Sequence, residues 1–167
     1  VFLRARPEGG PGYLVETGEA EWLGGHIPGS VYADLHNDLS DRSSDLRFMM
    51  PPAAQFETAM GSYGVGNDSK VVLYDRAGNM WAARVWWMLR AFGFDNARVL
   101  DGGWKRWTDD GHPVETGPVG RAPGRFTVVP RPRLIASRDE VLELVHSGDA
   151  CIVNALNGAQ FRGEEGG

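Results

Sequence analysis

The run Val71-Val72-Leu73-Tyr74-Asp75-Arg76-Ala77-Gly78-Asn79-Met80 decides the fold. Its first four residues are an unbroken apolar stretch closed by an acid, the pattern of a strand buried on both faces in a parallel sheet. Asp75 to Met80 is then a short polar loop containing Gly78. It leads into a helix over Trp81 to Phe92, where Trp81, Val85, Met88 and Phe92 recur at helical spacing and Gly93 supplies the cap. Strand, tight loop and helix follow one another within 23 residues.

The same grammar continues on both sides. Downstream, Ala97-Arg98-Val99-Leu100 reads as another strand, Asp101-Gly102-Gly103 as a turn, and Trp104 to Asp110 as a short helix closed by Gly111. Upstream, Pro51-Pro52 opens a helix that carries Phe56, Met60 and Tyr63 near one face before Gly64 and Gly66 stop it. Before that, Asp34 to Met50 is polar and aperiodic and is expected to be a surface excursion. Gly24 to Ser30 forms a tight loop feeding a short strand, Val31-Tyr32-Ala33. Glu19 to Leu23 is a helical turn. Val1 to Arg6 alternates loosely as a first strand, with the breaker-rich Pro7 to Gly12 as its exit. Strands alternating with helices across short Gly-rich loops predict an α/β domain with a mainly parallel central sheet flanked by helices.

The composition changes after Thr116. From Gly117 to Arg138 there are four prolines, five arginines and no acid, which suits an extended interdomain linker with one edge-strand candidate, Phe126 to Val129. Its arginines are expected to solvate the connector and pair with acidic domain surface. Ser137-Arg138-Asp139-Glu140 has the capping-box pattern and opens an amphipathic helix through His146, and Cys151 to Ala155 restarts a strand. The two halves echo each other, as a duplicated domain would. The expected divisions are residues 1–116, 117–136 and 137–167, with the first unit short of its N-terminal element and the third a truncated second copy. Val1 stands where an initiator Met would, so the chain reads as an excerpt.

Bulk properties narrow the function. Seventeen Lys and Arg against twenty-two Asp and Glu leave a net charge of −5, unsuited to a dedicated nucleic-acid binder. Every apolar run is interrupted before the roughly 18 to 20 residues of a membrane span. One cysteine, Cys151, excludes an internal disulfide. Four scattered histidines do not make a Cys/His zinc cluster, so no metal is expected and a reducing, cytoplasmic compartment is.

Five motifs in order, Gly25-His26-Ile27-Pro28-Gly29, Asp41-Arg42-Ser43-Ser44, Val72-Leu73-Tyr74-Asp75, Ala83 to Arg90 and Leu100-Asp101-Gly102-Gly103-Trp104, resemble the two-domain rhodanese sulfurtransferases. The resemblance covers residues 1 to 115, and Ala150 to Gly163 resembles the opening of the second domain. It implies thiosulfate or 3-mercaptopyruvate sulfurtransferase chemistry without a cofactor: a cysteine takes up sulfane sulfur as a persulfide and passes it to a thiophilic acceptor such as cyanide or a thiol. Such a cysteine needs a strand end, a loop of converging N–H groups and a helix N-terminus to hold thiolate and donor anion. Strand, loop and helix are all expected here, with Asp75 in the nucleophile's place. A carboxylate cannot carry sulfane sulfur. The resemblance therefore marks Asp75, Arg76, Ala77, Gly78, Asn79 and Met80 as the degenerate loop of a non-catalytic first domain, whose catalytic partner is the remainder of a second.

Individual residues follow from the same reading. Asp75 is expected to accept N–H bonds from its own loop, and His26 to cap its turn, since no nucleophile for a general base stands beside it. Cys151, before Ile152 and Val153, reads as a small buried hydrophobe. Trp81, Trp86, Trp87, Trp104 and Trp107 are expected to pack in core and interdomain contacts. Arg84, on the helix after the loop, either meets a substrate anion or pairs with a carboxylate. Asn154 and Leu156 stand where the family commonly has Asp and Arg, and Gln160 where several members have a donor-binding Arg, a role that falls to Arg162. A catalytically dead rhodanese-like binding module is the competing reading. Phosphatase chemistry on the related architecture fails for lack of a thiol before Gly78.

Overall fold

The structure, a computed structural model, describes residues 1–5 and 13–164. Arg6 and the expected exit loop Pro7 to Gly12 lie outside the described residues. Strands β1 (Phe2–Ala5) and β2 (Tyr13–Glu16) form an antiparallel pair in which Phe2 faces Glu16 and Ala5 faces Tyr13. Helix α1 (Glu19–Gly24) follows, and the chain then runs without regular structure to α2 (Ala53–Ser62). Strand β3 (Val71–Leu73), helix α3 (Met80–Ala91), strand β4 (Ala97–Val99) and helix α4 (Gly103–Asp109) form the expected alternation, with β3 parallel to β4. A 3-10 turn (Pro132–Leu134), α5 (Arg138–Ser147) and α6 (Gly158–Phe161) complete the chain.

The core lies between α2, α3 and the parallel pair. Phe56, Met88 and Leu89 are fully buried, and Val85 and Ala82 continue the inward stripe of α3. Phe56 packs against Phe92 at 4.4 Å between ring centroids. Trp81, Trp86 and Trp87 are half-buried against this cluster, as expected of packing residues. Helix α2 starts one residue after the expected Pro51-Pro52 because Pro52 takes the N-cap position, where its extended backbone precedes the first turn.

Several expectations need correction. Asp34 to Met50 is not a pure surface excursion, since it sends Leu35 and Leu39 into the core and buries Ser40, whose hydroxyl donates to the Leu35 carbonyl. The β3 run is not buried on both faces. Val71 and Leu73 are half-buried on the core side, but Val72 points the other way and is exposed, because a pleated strand alternates its faces and only one of these is covered. Val31 to Ala33 form no strand. Cys151 to Ala155 form none either: Cys151 is exposed, as are Ile152 and Val153, because no strand among the described residues pairs with that segment. The expectation of a buried structural cysteine is therefore overturned.

The arginine- and proline-rich segment binds the domain tightly along residues 121–131. Phe126 is buried against Phe56 and Phe94 at 5.8 and 5.6 Å. Phe126 to Val129 is no edge strand, because its backbone groups go elsewhere. Thr127 exchanges two hydrogen bonds with the Asn67 amide, Val128 N–H donates to Glu57, and Val129 N–H donates to the Phe92 carbonyl. Arg131 N–H donates to the Ala91 carbonyl, so this segment satisfies carbonyls that the end of α3 would otherwise leave orphaned. Gly93, at φ +90°, is required there: a Cβ would lie 2.5 Å from the Val129 carbonyl oxygen. Arg131 also makes the acid pairing expected of the connector, a two-nitrogen contact with Asp95 at 2.7 and 2.6 Å.

Because Phe126 ties this segment to the core, Phe126→Ala is expected to destabilise the chain by about 3 kcal/mol. Urea unfolding followed by far-UV circular dichroism measures it, and a loss under about 1 kcal/mol would mean that the segment only lies on the surface.

Candidate functional site

Asp75 stands where β3 meets the loop, and the loop folds around its carboxylate. Oδ1 accepts the N–H groups of Ala77 and Asn79, both at 2.8 Å. Oδ2 accepts those of Trp81 and Ala82, at 2.7 and 2.9 Å, in the first turn of α3. Four backbone donors thus converge on one anion at a helix N-terminus, where the aligned peptide dipoles also favour negative charge. The sharp return needs two residues with positive φ, Gly78 at +68° and Asn79 at +69°. Asn79 is fixed there by its side-chain amide, which donates to the Leu100 carbonyl at 2.9 Å. Gly103 brings α4 onto the same loop: a Cβ on it would sit 2.7 Å from Asn79 Oδ1, and Trp104 N–H donates to the Asp75 carbonyl at 3.1 Å.

The arginines are placed differently from one another. Arg76 leaves the loop and donates to the carbonyls of Glu21 and Gly25, with its guanidinium 4.2 Å above the Trp104 ring. Burial lowers its pKa from the usual arginine value. Arg84, on α3, donates to the Phe48 carbonyl at 2.7 Å and lies 5.0 Å from the Trp87 ring. No carboxylate among the described residues pairs with it, its Nε is buried without a partner, and desolvation lowers its pKa. Of the two roles open to Arg84, the carboxylate pair is therefore not the one seen. Arg162 is held by Glu164 through two hydrogen bonds of 2.6 and 2.8 Å at the end of α6. Met80 begins α3 and is exposed.

The Gly25 to Ser30 loop is braced against this site. His26 is fully buried, with Nδ1 2.8 Å from the Trp22 carbonyl, its ring stacked on Trp22 at 4.6 Å and its backbone paired with Glu115. That is the turn-fixing place expected of it. Sequence reasoning missed Tyr74, whose hydroxyl accepts the Ile27 N–H at 3.1 Å and meets the Ser30 hydroxyl at 2.8 Å. It also missed Phe48, a non-glycine residue at φ +59° whose carbonyl receives Arg84. A phenol at the end of an apolar strand is a weak signal for the first, and the sequence carries none for the second. Tyr63 donates to Asp38 at 2.7 Å while accepting the Asp34 N–H, and burial followed by Asp38 pushes its phenol well above the usual range. Tyr32 is pushed up to about 12, by burial first and then by Asp34.

A family model described as the Rhodanese-like domain matches residues 14–110. The 3-mercaptopyruvate sulfurtransferase of Escherichia coli (strain K12) is 36% identical over 154 residues, covering 92% of this chain and 54% of that protein. The thiosulfate sulfurtransferase of Gallus gallus is 37% identical over 142 residues, 84% of this chain and 49% of that protein. Among solved structures, SseA from Escherichia coli, a 3-mercaptopyruvate sulfotransferase by its description, superposes with a TM-score of 0.83 at 36% identity, covering 89% of this chain and 56% of that one. Tum1 from Saccharomyces cerevisiae gives 0.70 at 25% identity, over 80% and 46%. The chain spans about half the length of the curated relatives it matches.

Two measurements check this geometry. Asp75→Ala strips the acceptor from four N–H groups and is expected to cost about 3 kcal/mol by denaturant unfolding. For the phenols, unfolded tyrosines ionise near 10, so the stability held by neutral Tyr63 and Tyr32 is complete below that pH. It drains away as pH rises towards their folded values. An alkaline titration followed by ultraviolet absorbance should show two late components, of which Tyr63→Phe removes the later and leaves that of Tyr32.

Proposed function

The chain belongs to the rhodanese-like domain family, whose matched members here include sulfurtransferases, and from that premise we propose that it is the non-catalytic half of a tandem sulfurtransferase. In this reading residues 1–116 are the first domain, 117–136 the connector and 137–167 the beginning of the second domain. The nucleophilic cysteine then lies in the rest of that second domain. The donor is a small sulfur-bearing anion, thiosulfate or 3-mercaptopyruvate, and the acceptor cyanide or a thiol. A reducing, cytoplasmic setting belongs to the same reading.

One observation carries it: the anion cradle of the Asp75 loop is filled by the protein's own carboxylate. Sulfur transfer needs a thiolate that attacks sulfane sulfur, expels the donor's remainder with its electron pair, and is regenerated when the acceptor attacks the persulfide. A carboxylate oxygen offers no such sulfur bond. These four donors are engaged by the Asp75 carboxylate and are not free to receive a substrate anion or a persulfide. Cys151 does not substitute, since it lies in an irregular exposed segment without a cradle of N–H groups around it. The first domain then serves as one wall of an interdomain cleft. Arg84, charged, desolvated and without a carboxylate partner among the described residues, is a donor-anion contact there, and Arg162 a second.

The 167-residue chain incubated with thiosulfate and cyanide is expected to form no thiocyanate above the level of its Cys151→Ser variant. Asp75→Cys places a thiol at the mouth of the cradle and is expected to gain one sulfur atom from thiosulfate, visible by intact mass. Thiocyanate formation by the unaltered chain, abolished by Cys151→Ser, would overturn the assignment.

A further inference from the structure

Residues 41–49 close a loop on themselves, since the Asp41 N–H donates to the Met49 carbonyl at 3.0 Å. Between these ends there is no helix or strand, and Arg42, Ser43, Asp45, Leu46 and Arg47 are exposed, as in a compact surface loop whose ends meet. The loop is tied down at two neighbouring residues. Arg47 donates to the Tyr13 carbonyl at 2.6 Å. The Phe48 ring lies 5.1 Å from that of Trp81, and the Phe48 carbonyl accepts Nη2 of Arg84 at 2.7 Å.

The tie at Phe48 is strained. Its φ of +59° brings Cβ close to a backbone carbonyl oxygen, a conformation that bulky side chains rarely adopt. Asn79, the other non-glycine residue with positive φ among the described residues, has a short polar side chain that tolerates it and a hydrogen bond that fixes it. Phe48 has no such side chain. Two polar neighbours are left incomplete as well. Nε of Arg84 is buried without a hydrogen-bond partner among the described residues, and so is Nδ1 of His36, whose ring meets Phe48 edge-on at 6.1 Å. A buried nitrogen without a partner favours any rearrangement that returns it to water. Backbone strain and both orphaned atoms thus meet at one residue, and lifting the loop relieves all three.

The closed loop also competes with any anion for Arg84. Arginine grips an oxyanion through a planar fork of two N–H groups, and Nε with Nη2 is one such fork. Here Nη2 is taken by the Phe48 carbonyl and Nε is shut away from solvent. This fork becomes available when the carbonyl leaves.

We propose that residues 41–49 are a latched lid with Arg84 as its catch: the closed loop, strained at Phe48, holds the guanidinium, and a small oxyanion takes Arg84 as the loop lets go. The choice of ligand rests on the reading of Arg84 as a donor-anion contact, whereas the latch is a property of the loop and α3. Because the carbonyl and the anion exclude each other, the coupling is reciprocal. Anion binding opens the loop, and opening the loop strengthens anion binding.

Hydrogen exchange of the 167-residue chain tests this, with the Asp41 amide reporting loop opening and the amides of α3 reporting global unfolding. Arg84→Met removes the donors but keeps an apolar stem, and is expected to speed exchange at Asp41 about tenfold while the α3 amides hold their rates. Phe48→Gly and Phe48→Ala both delete the ring, yet only glycine accepts the left-handed backbone. Asp41 is therefore expected to exchange about tenfold faster in the alanine variant than in the glycine one. Thiosulfate, and sulfate as an oxyanion without sulfane sulfur, should speed Asp41 exchange in the unaltered chain and have no effect in Arg84→Met. Unchanged Asp41 exchange in Arg84→Met, or equal acceleration of Asp41 and α3, overturns the latch. Calorimetric binding of either anion that depends on Arg84 but leaves Asp41 exchange unmoved also overturns it, and spares the functional reading. Release by Arg84→Met with no binding of either anion defeats the coupling, together with the part given to Arg84 in that reading.

Discussion

The carboxylate of Asp75 organises its surroundings. Four N–H groups from a six-residue loop and the first turn of a helix point at two oxygen atoms, and each would be an unpaired donor without them. The hydrogen bonds fix the angle between β3 and α3. They also hold Gly78 and Asn79 in left-handed conformations that the open chain would rarely visit, and set the floor on which Gly103 brings α4 close. An uncharged side chain of similar size could accept some of these bonds, but it would not complement a helix dipole in the same way. The loop is therefore built as an anion receptor, and its anion is covalently attached.

That arrangement separates two properties which an active cysteine loop combines. A thiolate in such a cradle is stabilised and remains exposed to a donor, whereas the Asp75 carboxylate is stabilised with both of its oxygens already accepting hydrogen bonds. The surrounding arginines fit this division. Arg76 spends its donors on the carbonyls of Glu21 and Gly25 and lies on Trp104, which ties the His26 turn to the loop. Arg84 turns away to Phe48. Neither crosses the cradle to neutralise Asp75, because the backbone already does so.

Much of this was legible in the sequence, and where it was not the reason is long-range pairing. The β3, α3, β4 and α4 succession follows from apolar runs, helical spacing and Gly caps, all local signals that lie within a few residues of one another. Asp75 as acceptor of its own loop followed from the same local logic, and so did the capping box at Ser137, where both reciprocal hydrogen bonds form. The failures were Val31 to Ala33, Phe126 to Val129 and Cys151 to Ala155, three segments whose residues favour extended structure. Strand formation depends on a neighbour that is often distant in sequence, and no local pattern reveals whether it is there. Phe126 shows the other outcome of the same ambiguity. Its segment found partners in Asn67, Glu57 and the end of α3, and became an anchor in place of a strand.

A connector that merely spanned two domains would gain nothing from burying an aromatic ring, satisfying the carbonyls of α3 and gripping Asp95 with a guanidinium fork. Those contacts stabilise the first unit through residues 121–131 and end near the 3-10 turn at Pro132. Beyond it, helix α5 has its caps in place yet leaves Leu142, Leu144 and Val145 exposed, followed by Ile152 and Val153. Local interactions are enough to form a helix of that length only when its apolar face is also covered. Buried contacts therefore give way to uncovered apolar side chains at the end of the anchored segment, near Pro132.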